Sequence, residues 1–217
     1  MSEIGDRIEE VRRRIAAARE RSDRAAAAVR LVAVTKTVPA ARVSEAAEAG
    51  LTEFGENYVQ ELEEKRAAAG DATWHFLGRL QSNKVARVRG AADWVQTLEP
   101  GRGGRKLGAA DGRPLPCLVQ VDYAGGRVGV RPEAAEAFVA QSDRWPGTQV
   151  RGLMTVPPLG SSPGPYFRRL RELRDRLRER FPDVVELSMG MSADYEEAVE
   201  EGATMVRVGT AIFGPRP

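Results

Sequence analysis

Eight apolar stretches rich in β-branched or aromatic residues alternate along this chain with segments of helical periodicity, an amphipathic segment stands ahead of the first, and glycines recur where helices would end. Together these predict an α/β protein, a single (β/α)8 TIM-type barrel with an extra N-terminal helix, formed by residues 1–217 as one domain. At 217 residues the chain is long enough to bury one sizeable core.

The opening segment places Ile4, Ile8, Val11 and Ile15 on one helical stripe among Arg and Glu, the pattern of a helix that packs on something else. The strands expected after it are Leu31–Val34, Glu53–Gly55, Trp74–Gly78, Trp94–Leu98, Cys117–Asp122, Val150–Val156, Val184–Met189 and Met205–Phe213. Between them, Pro39 and Pro132 stand where a helix would begin, and Tyr166, Leu170, Leu173 and Leu177 form a stripe ended by Pro182. Ala49-Gly50, Ala69-Gly70 and Glu201-Gly202 each put a glycine where a helix would end, a few residues before a strand. An open doubly wound sheet is the competing arrangement. Against it, no Gly-x-Gly-x-x-Gly follows the first strand and no phosphate-binding Gly-x-x-x-x-Gly-Lys-[Ser/Thr] occurs. Gly101–Arg105 and Leu159–Pro165, rich in Gly, Pro or Ser, are expected to be disordered.

The formal charge of +2 comes from interspersed acids and bases, so no field favours nucleic acid or an anionic membrane. A lone cysteine, Cys117, lies in an apolar run, which leaves no disulfide and fits a reducing compartment. The N-terminus lacks a long apolar segment, and no stretch approaches the ~20 apolar residues of a membrane span. These features place the protein in the cytoplasm.

In a β/α barrel the site forms at the C-terminal ends of the strands, which selects the polar residues ending each apolar run. Lys36 is one of four lysines in an arginine-rich chain, and it directly follows the first strand. An ε-amine can attack an aldehyde once partial burial or a nearby cation favours its neutral form, whereas a guanidinium stays charged. A strand-end lysine that merely snorkels to solvent is the alternative. On the eighth strand the alternation puts Met205, Arg207 and Gly209 on one face, so Arg207 points into the barrel and needs a partner. Gly209 and Thr210 let backbone N–H groups approach an anion, and Ser192 stands near the start of the helix 193–201, where it either joins a phosphate cup or only caps that helix. His75 is the single histidine, either a base or a packing residue, and with one Cys beside it a His-ligated metal site is not expected. Asn57 ends the second strand and could simply bond neighbouring backbone. The loop Arg102-Gly103-Gly104-Arg105-Lys106 reads as a solvated basic turn.

Several motifs then line up in order: Ala33-Val34-Thr35-Lys36-Thr37, Phe54-Gly55-Glu56-Asn57-Tyr58, Trp74-His75-Phe76-Leu77-Gly78, Leu80-Gln81-Ser82-Asn83-Lys84, Arg151-Gly152-Leu153-Met154-Thr155, Leu187-Ser188-Met189-Gly190-Met191-Ser192 and Met205-Val206-Arg207-Val208-Gly209-Thr210. With these the chain resembles the pyridoxal phosphate homeostasis protein family from its first helix to its last strand. The resemblance implies a barrel related to the N-terminal domain of alanine racemase, with pyridoxal 5'-phosphate (PLP, the vitamin B6 cofactor) as a Schiff base on Lys36. It further implies Arg207 beside the pyridine nitrogen, Ser192, Gly209 and Thr210 around the phosphate, and Asn57, His75 and Met154 lining the pocket, with Ser188 and Met191 as secondary contacts. A guanidinium cannot accept the ring's proton, so the ring nitrogen would stay unprotonated and the cofactor would be a weak electron sink.

Two departures from the family's pattern stand out. The segment Asp122-Tyr123-Ala124-Gly125-Gly126-Arg127-Val128-Gly129 is short, with Arg127 near the place of a lysine, and Arg79 follows Gly78 where a less charged residue is expected. The implied role is a non-catalytic, monomeric carrier that buffers PLP, with PLP-dependent apo-enzymes left open as recipients. An amino-acid racemase is the alternative. It needs a second proton-transfer group opposite Lys36, and none of Tyr58, Tyr123, Tyr166 or Tyr195 is an evident one. A Schiff-base sugar isomerase or lyase is the third reading.

Overall fold

A computed structural model describes residues 2–126 and 128–215; Arg127, the residue near the family's lysine position, lies outside the described residues. Helix α1 (Glu3–Glu20) precedes strand β1 (Arg30–Val34), and the chain continues as α2 (Ala40–Glu48), β2 (Glu53–Glu56), α3 (Val59–Arg66), β3 (Thr73–Phe76), α4 (Val85–Ala91) and β4 (Trp94–Leu98). The second half runs α5 (Arg102–Gly108), β5 (Leu115–Gln120), α6 (Ala135–Ser142), β6 (Thr148–Met154), α7 (Gly164–Arg178), β7 (Glu186–Ser188), α8 (Tyr195–Glu200), β8 (Met205–Val208) and α9 (Thr210–Phe213). All neighbouring strands are parallel, and β1 pairs with β8 as well as β2, so the sheet closes in sequence order. This is the closed barrel expected from eight strands alternating with helices, and not the open doubly wound sheet.

Two layers of packing follow from the pleat. Side chains that point outward, such as Val206, Val208, Phe54 and Trp74, join the helices in one large apolar core. Those that point inward are fewer, with Leu118, Met154 and Met205 forming a small apolar group inside the barrel. Polar side chains are buried there as well, including His75, Gln96, Ser188 and Arg207.

Helix α1 begins at Ser2, whose hydroxyl accepts the Gly5 N–H at 3.2 Å, and it buries Ile4, Ile8, Val11, Ile15 and Ala18. It packs against α8, α9 and α2. The helix after β8 has only four residues, too short to cover the seam between β8 and β1, and α1 supplies the missing cover. Burial of Ile4, Ile8, Val11 and Ile15 contributes roughly 1.5–3 kcal/mol each.

The structure corrects two expectations. The last apolar run does not stay extended to Phe213. Gly209 (φ −118°, ψ −72°) breaks it, and its carbonyl accepts both the Ile212 and Phe213 N–H groups at 2.9 Å, turning residues 210–213 into α9. The expected disorder at Gly101–Arg105 is also absent, because residues 102–108 form α5. Its glycines are there for close approach: a Cβ on Gly103 would sit 1.6 Å from the Leu80 carbonyl oxygen, and one on Gly104 2.0 Å from that of Glu99. Of the second expected loop, residues 164 and 165 belong to α7.

Candidate functional site

Where the strands end, a cavity of about 440 Å³ opens at the C-terminal mouth of the barrel, within the size range of small-molecule sites. Lys36, Asn57, Met154, Ser192, Arg207, Gly209 and Thr210 line it, together with Val34, Leu77, Val156, Met191 and Ala193. Seven of the eight residues singled out from sequence therefore converge. His75 does not line this cavity: it is fully buried inside the barrel, with its Nε2 at 2.8 Å from Glu53 Oε2.

Lys36 leaves β1 half-buried, and the residues on both sides of it are pinned. The Thr35 carbonyl accepts from Lys65 Nζ at 2.7 Å, and the Thr35 hydroxyl donates to Glu56 Oε2 at 2.9 Å. Thr37 has φ +62°, the only positive φ of a non-glycine residue among the described residues, and its N–H donates to Glu61. That conformation costs a non-glycine residue energy and persists where surrounding bonds hold it. Lys65 connects the two sides, since its buried ammonium also donates to Glu56 at 2.9 Å and to Glu61. Burial works to raise the Glu61 carboxyl, yet the Lys65 ammonium and the Thr37 N–H hold it below the usual carboxylate range. Glu56 in turn accepts the Asn57 N–H at 2.7 Å, and Gly78 lets the end of β3 close on Asn57, where a Cβ would lie 1.9 Å from its carbonyl oxygen.

On β8, the strand beside β1, Arg207 is 5% exposed and forms no ion pair with a carboxylate among the described residues. Its Nη1 donates to Ser188 Oγ at 2.6 Å and its Nη2 to the Thr155 carbonyl at 2.9 Å. Burial pushes its pKa down to about 10, with Asp194 pulling it back up, so it remains a cation at neutral pH. Ser192 does not cap the following helix, which starts at Tyr195 with Asp194 as its N-cap residue. Its Oγ accepts instead from the N–H groups of Gly209 and Ala211 at 3.2 and 3.3 Å, tying the β7–α8 turn to the β8–α9 turn.

Sequence reasoning missed Lys65, Thr155 and Gln96. The Glu61–Lys65 spacing of four was readable as a helical ion pair, but such pairs are ordinarily solvated and nothing local reveals that this one is buried. The other residues touch the site through contacts distant in sequence. Cys117 is buried, and burial pushes its thiol up, out of reach of nucleophilic use. Among the described residues, no group of three or more His, Cys, Asp or Glu side chains is placed to hold a metal ion, and no helix is long and apolar enough to cross a membrane.

The family described as alanine racemase, N-terminal domain, matches residues 7–217. The pyridoxal phosphate homeostasis protein of Vibrio cholerae is 37% identical over 230 residues, covering 100% of this chain and 98% of that protein. Its counterpart in Escherichia coli K12 is 36% identical over 232 residues, with the same coverage. Among solved structures, PipY of Synechococcus elongatus PCC7942 with PLP bound is similar at 36% identity with a TM-score of 0.83, covering 98% of this chain and 100% of that one. Alanine racemase from Corynebacterium glutamicum, at 18% identity and a TM-score of 0.71 over 94% of this chain and 61% of that one, shares the fold.

Proposed function

The chain belongs to the pyridoxal phosphate homeostasis protein family, and from that premise we propose that its barrel mouth binds pyridoxal 5'-phosphate, anchored covalently at Lys36, as a reservoir of the cofactor inside the cell. One observation carries this reading: a half-buried lysine and a buried arginine that has no carboxylate ion pair among the described residues line the same cavity, beside the Ser192, Gly209 and Thr210 cluster. The three groups fit the three functional parts of the cofactor. An amine takes its aldehyde, a guanidinium donates to its ring nitrogen, and hydroxyl and backbone N–H groups take its phosphate. Asn57 and Met154 fill the remaining wall.

PLP supplies an electrophilic aldehyde and, when its ring nitrogen is protonated, an electron sink. Arg207 withholds the second, because a guanidinium that is already a cation donates a hydrogen bond and accepts none. The titratable side chains lining the cavity among the described residues are Lys36 and Arg207, whereas racemisation calls for a proton-transfer group on each face of the cofactor. Both points support holding the cofactor over turning over a substrate. The proposal includes a cytoplasmic, monomeric protein with one domain over residues 1–217, whose recipients are PLP-dependent apo-enzymes. The buried, unreactive Cys117 suits a reducing compartment.

The test is visible absorption of the purified protein with added PLP, before and after borohydride, for the native chain and Lys36→Ala. We expect a visible band that borohydride removes, pyridoxyl mass on the Lys36 peptide, and neither in the variant. A native chain that gives no such band with excess PLP overturns the proposal.

A further inference from the structure

His75, absent from the cavity, is nevertheless joined to it. From Arg207, Nη1 reaches Ser188 Oγ at 2.6 Å, Ser188 Oγ reaches Gln96 Oε1 at 2.6 Å, Gln96 Nε2 reaches His75 Nδ1 at 2.9 Å, and His75 Nε2 reaches Glu53 Oε2 at 2.8 Å. Ser188, Gln96 and His75 are each 0% exposed, so water does not satisfy these groups in place of one another. The chain runs the length of the barrel. Glu53 lies at the opposite, N-terminal end, where it lines a separate cavity of about 370 Å³ with Arg12, Arg19 and Arg30.

The direction of every bond follows from the arginine. A guanidinium only donates, so Ser188 Oγ accepts from it and has its own hydrogen free for the next link. Gln96 must therefore present its carbonyl oxygen to Ser188 and its amide nitrogen to His75. That nitrogen only donates, which requires an unprotonated Nδ1 and leaves the imidazole proton on Nε2, facing the Glu53 carboxylate. A cation stands at one end, a carboxylate at the other, and every donor between them points the same way. Reversing the Gln96 amide would demand a proton on Nδ1. The second ring nitrogen would then face Glu53 either as a lone pair against a carboxylate or as part of a buried imidazolium, which burial disfavours. Trp94, stacked on His75 with ring centroids 5.8 Å apart, fixes the ring plane.

We infer that Glu53, His75, Gln96 and Ser188 form a directionally ordered hydrogen-bonded chain that positions Arg207, making His75 and Gln96 positioning residues for a cavity that neither of them lines. Two hydrogen bonds, to Ser188 and to the Thr155 carbonyl, turn one edge of the guanidinium away from the cavity and so determine which N–H groups remain to meet a ligand acceptor. This inference rests on the reading of Arg207 as the contact of the cofactor's ring nitrogen.

Because His75 is the only histidine, the chain can be read directly by nitrogen NMR of the full-length, cofactor-free protein with 15N-labelled histidine. The expected spectrum is one neutral imidazole protonated on Nε2, and an Nδ1–H tautomer or an imidazolium at neutral pH overturns the inference. Gln96→Glu supplies a second reading from a side chain of the same shape: a carboxylate cannot donate to Nδ1, so Nδ1 should gain a proton while Nε2 keeps its own, giving an imidazolium between two carboxylates, and an Nδ1 that stays unprotonated refutes the chain. Gln96→Leu, which cuts the chain midway, should weaken PLP binding by about tenfold, the scale of a lost hydrogen bond behind a charged group. Borohydride should still label Lys36 in that variant at saturating PLP; binding unchanged within twofold means that Arg207 is held without the chain. If the native protein binds no PLP while the tautomer is as expected, it is the proposed function that fails and not the chain.

Discussion

Lys65 shows how one side chain can organise a site that it does not enter. Its ammonium is buried among Glu56, Glu61 and the Thr35 carbonyl, and Glu56 is 0% exposed. Replacing only the cation leaves buried carboxylate charge without its partner, which typically costs about 3–5 kcal/mol. Lys65→Met should therefore lower unfolding free energy by about that amount in urea denaturation at neutral pH. Restoring part of it with Glu56→Gln in the same chain would locate the penalty at the unpaired charge. A loss under about 1 kcal/mol would mean that the pair is effectively solvated. His75 gives a second residue-scale prediction. Burial holds its imidazole below the ordinary value despite the neighbouring Glu53, so the unfolded chain takes up a proton at higher pH than the folded chain does. Stability is then fully present above the ordinary histidine pKa of ~6.5 and falls as pH drops below it, by up to about 1.4 kcal/mol per unit, until the folded imidazole titrates. His75→Gln keeps a neutral donor and acceptor and removes that slope, so the two proteins should diverge in chemical denaturation as pH is lowered from about 7.5 to 5.5. Parallel curves would show that His75 is not held neutral.

At the scale of elements, what could be read from sequence was what local periodicity and terminal residues carry. The stripe Ile4, Ile8, Val11, Ile15 announced α1, Pro39 marks the N-terminal boundary of α2, and Gly50 and Gly202 take φ +85° and +95° after their helices. Strand-end position also led to Lys36 and Arg207 without any knowledge of their surroundings. What stayed hidden depends on contacts made only after the chain folds. Nothing near Gly103 in sequence says that Leu80 will press against it, so glycines that permit close packing read as a flexible loop. His75 sits on a strand whose polar end was legible, but whether its ring reached the mouth or the opposite end depended on Glu53 and Gln96. These contacts lead to two element-scale expectations. Gly103→Ala would drive a methyl into backbone rather than into a yielding side chain, so it should cost at least the ~1–3 kcal/mol typical of overpacking, measured by urea midpoint. Ile8→Ala in α1 should cost about 2–5 kcal/mol, because the seam beneath it has only the four-residue α9 as other cover. A change under 1 kcal/mol would mean that the seam closes without α1.

For the whole molecule, closure is the feature that decides how stability is shared. The barrel joins β1 to β8, and α1, first in sequence, packs on α8 and α9, near the end of the chain. Removing either end leaves two strand edges unpaired and exposes the apolar faces of its neighbours, so neither half should persist without the other. The through-barrel chain points the same way, since Glu53, His75 and Gln96 lie in the first half while Ser188 and Arg207 lie in the second. Residues 1–217 should accordingly unfold as one cooperative unit. The three tryptophans make this measurable, because Trp74 stands on β3, Trp94 on β4 and Trp145 in the turn before β6. Thermal melts of the cofactor-free protein followed by tryptophan fluorescence and by far-ultraviolet circular dichroism should coincide, with calorimetric and van't Hoff enthalpies equal. Saturation with PLP at about 100 times its dissociation constant should move that single transition upward by about 2.7 kcal/mol of stability without splitting it. Two separated transitions, or a ligand shift confined to one of them, would divide the chain into independently folding parts and refute the single-domain reading.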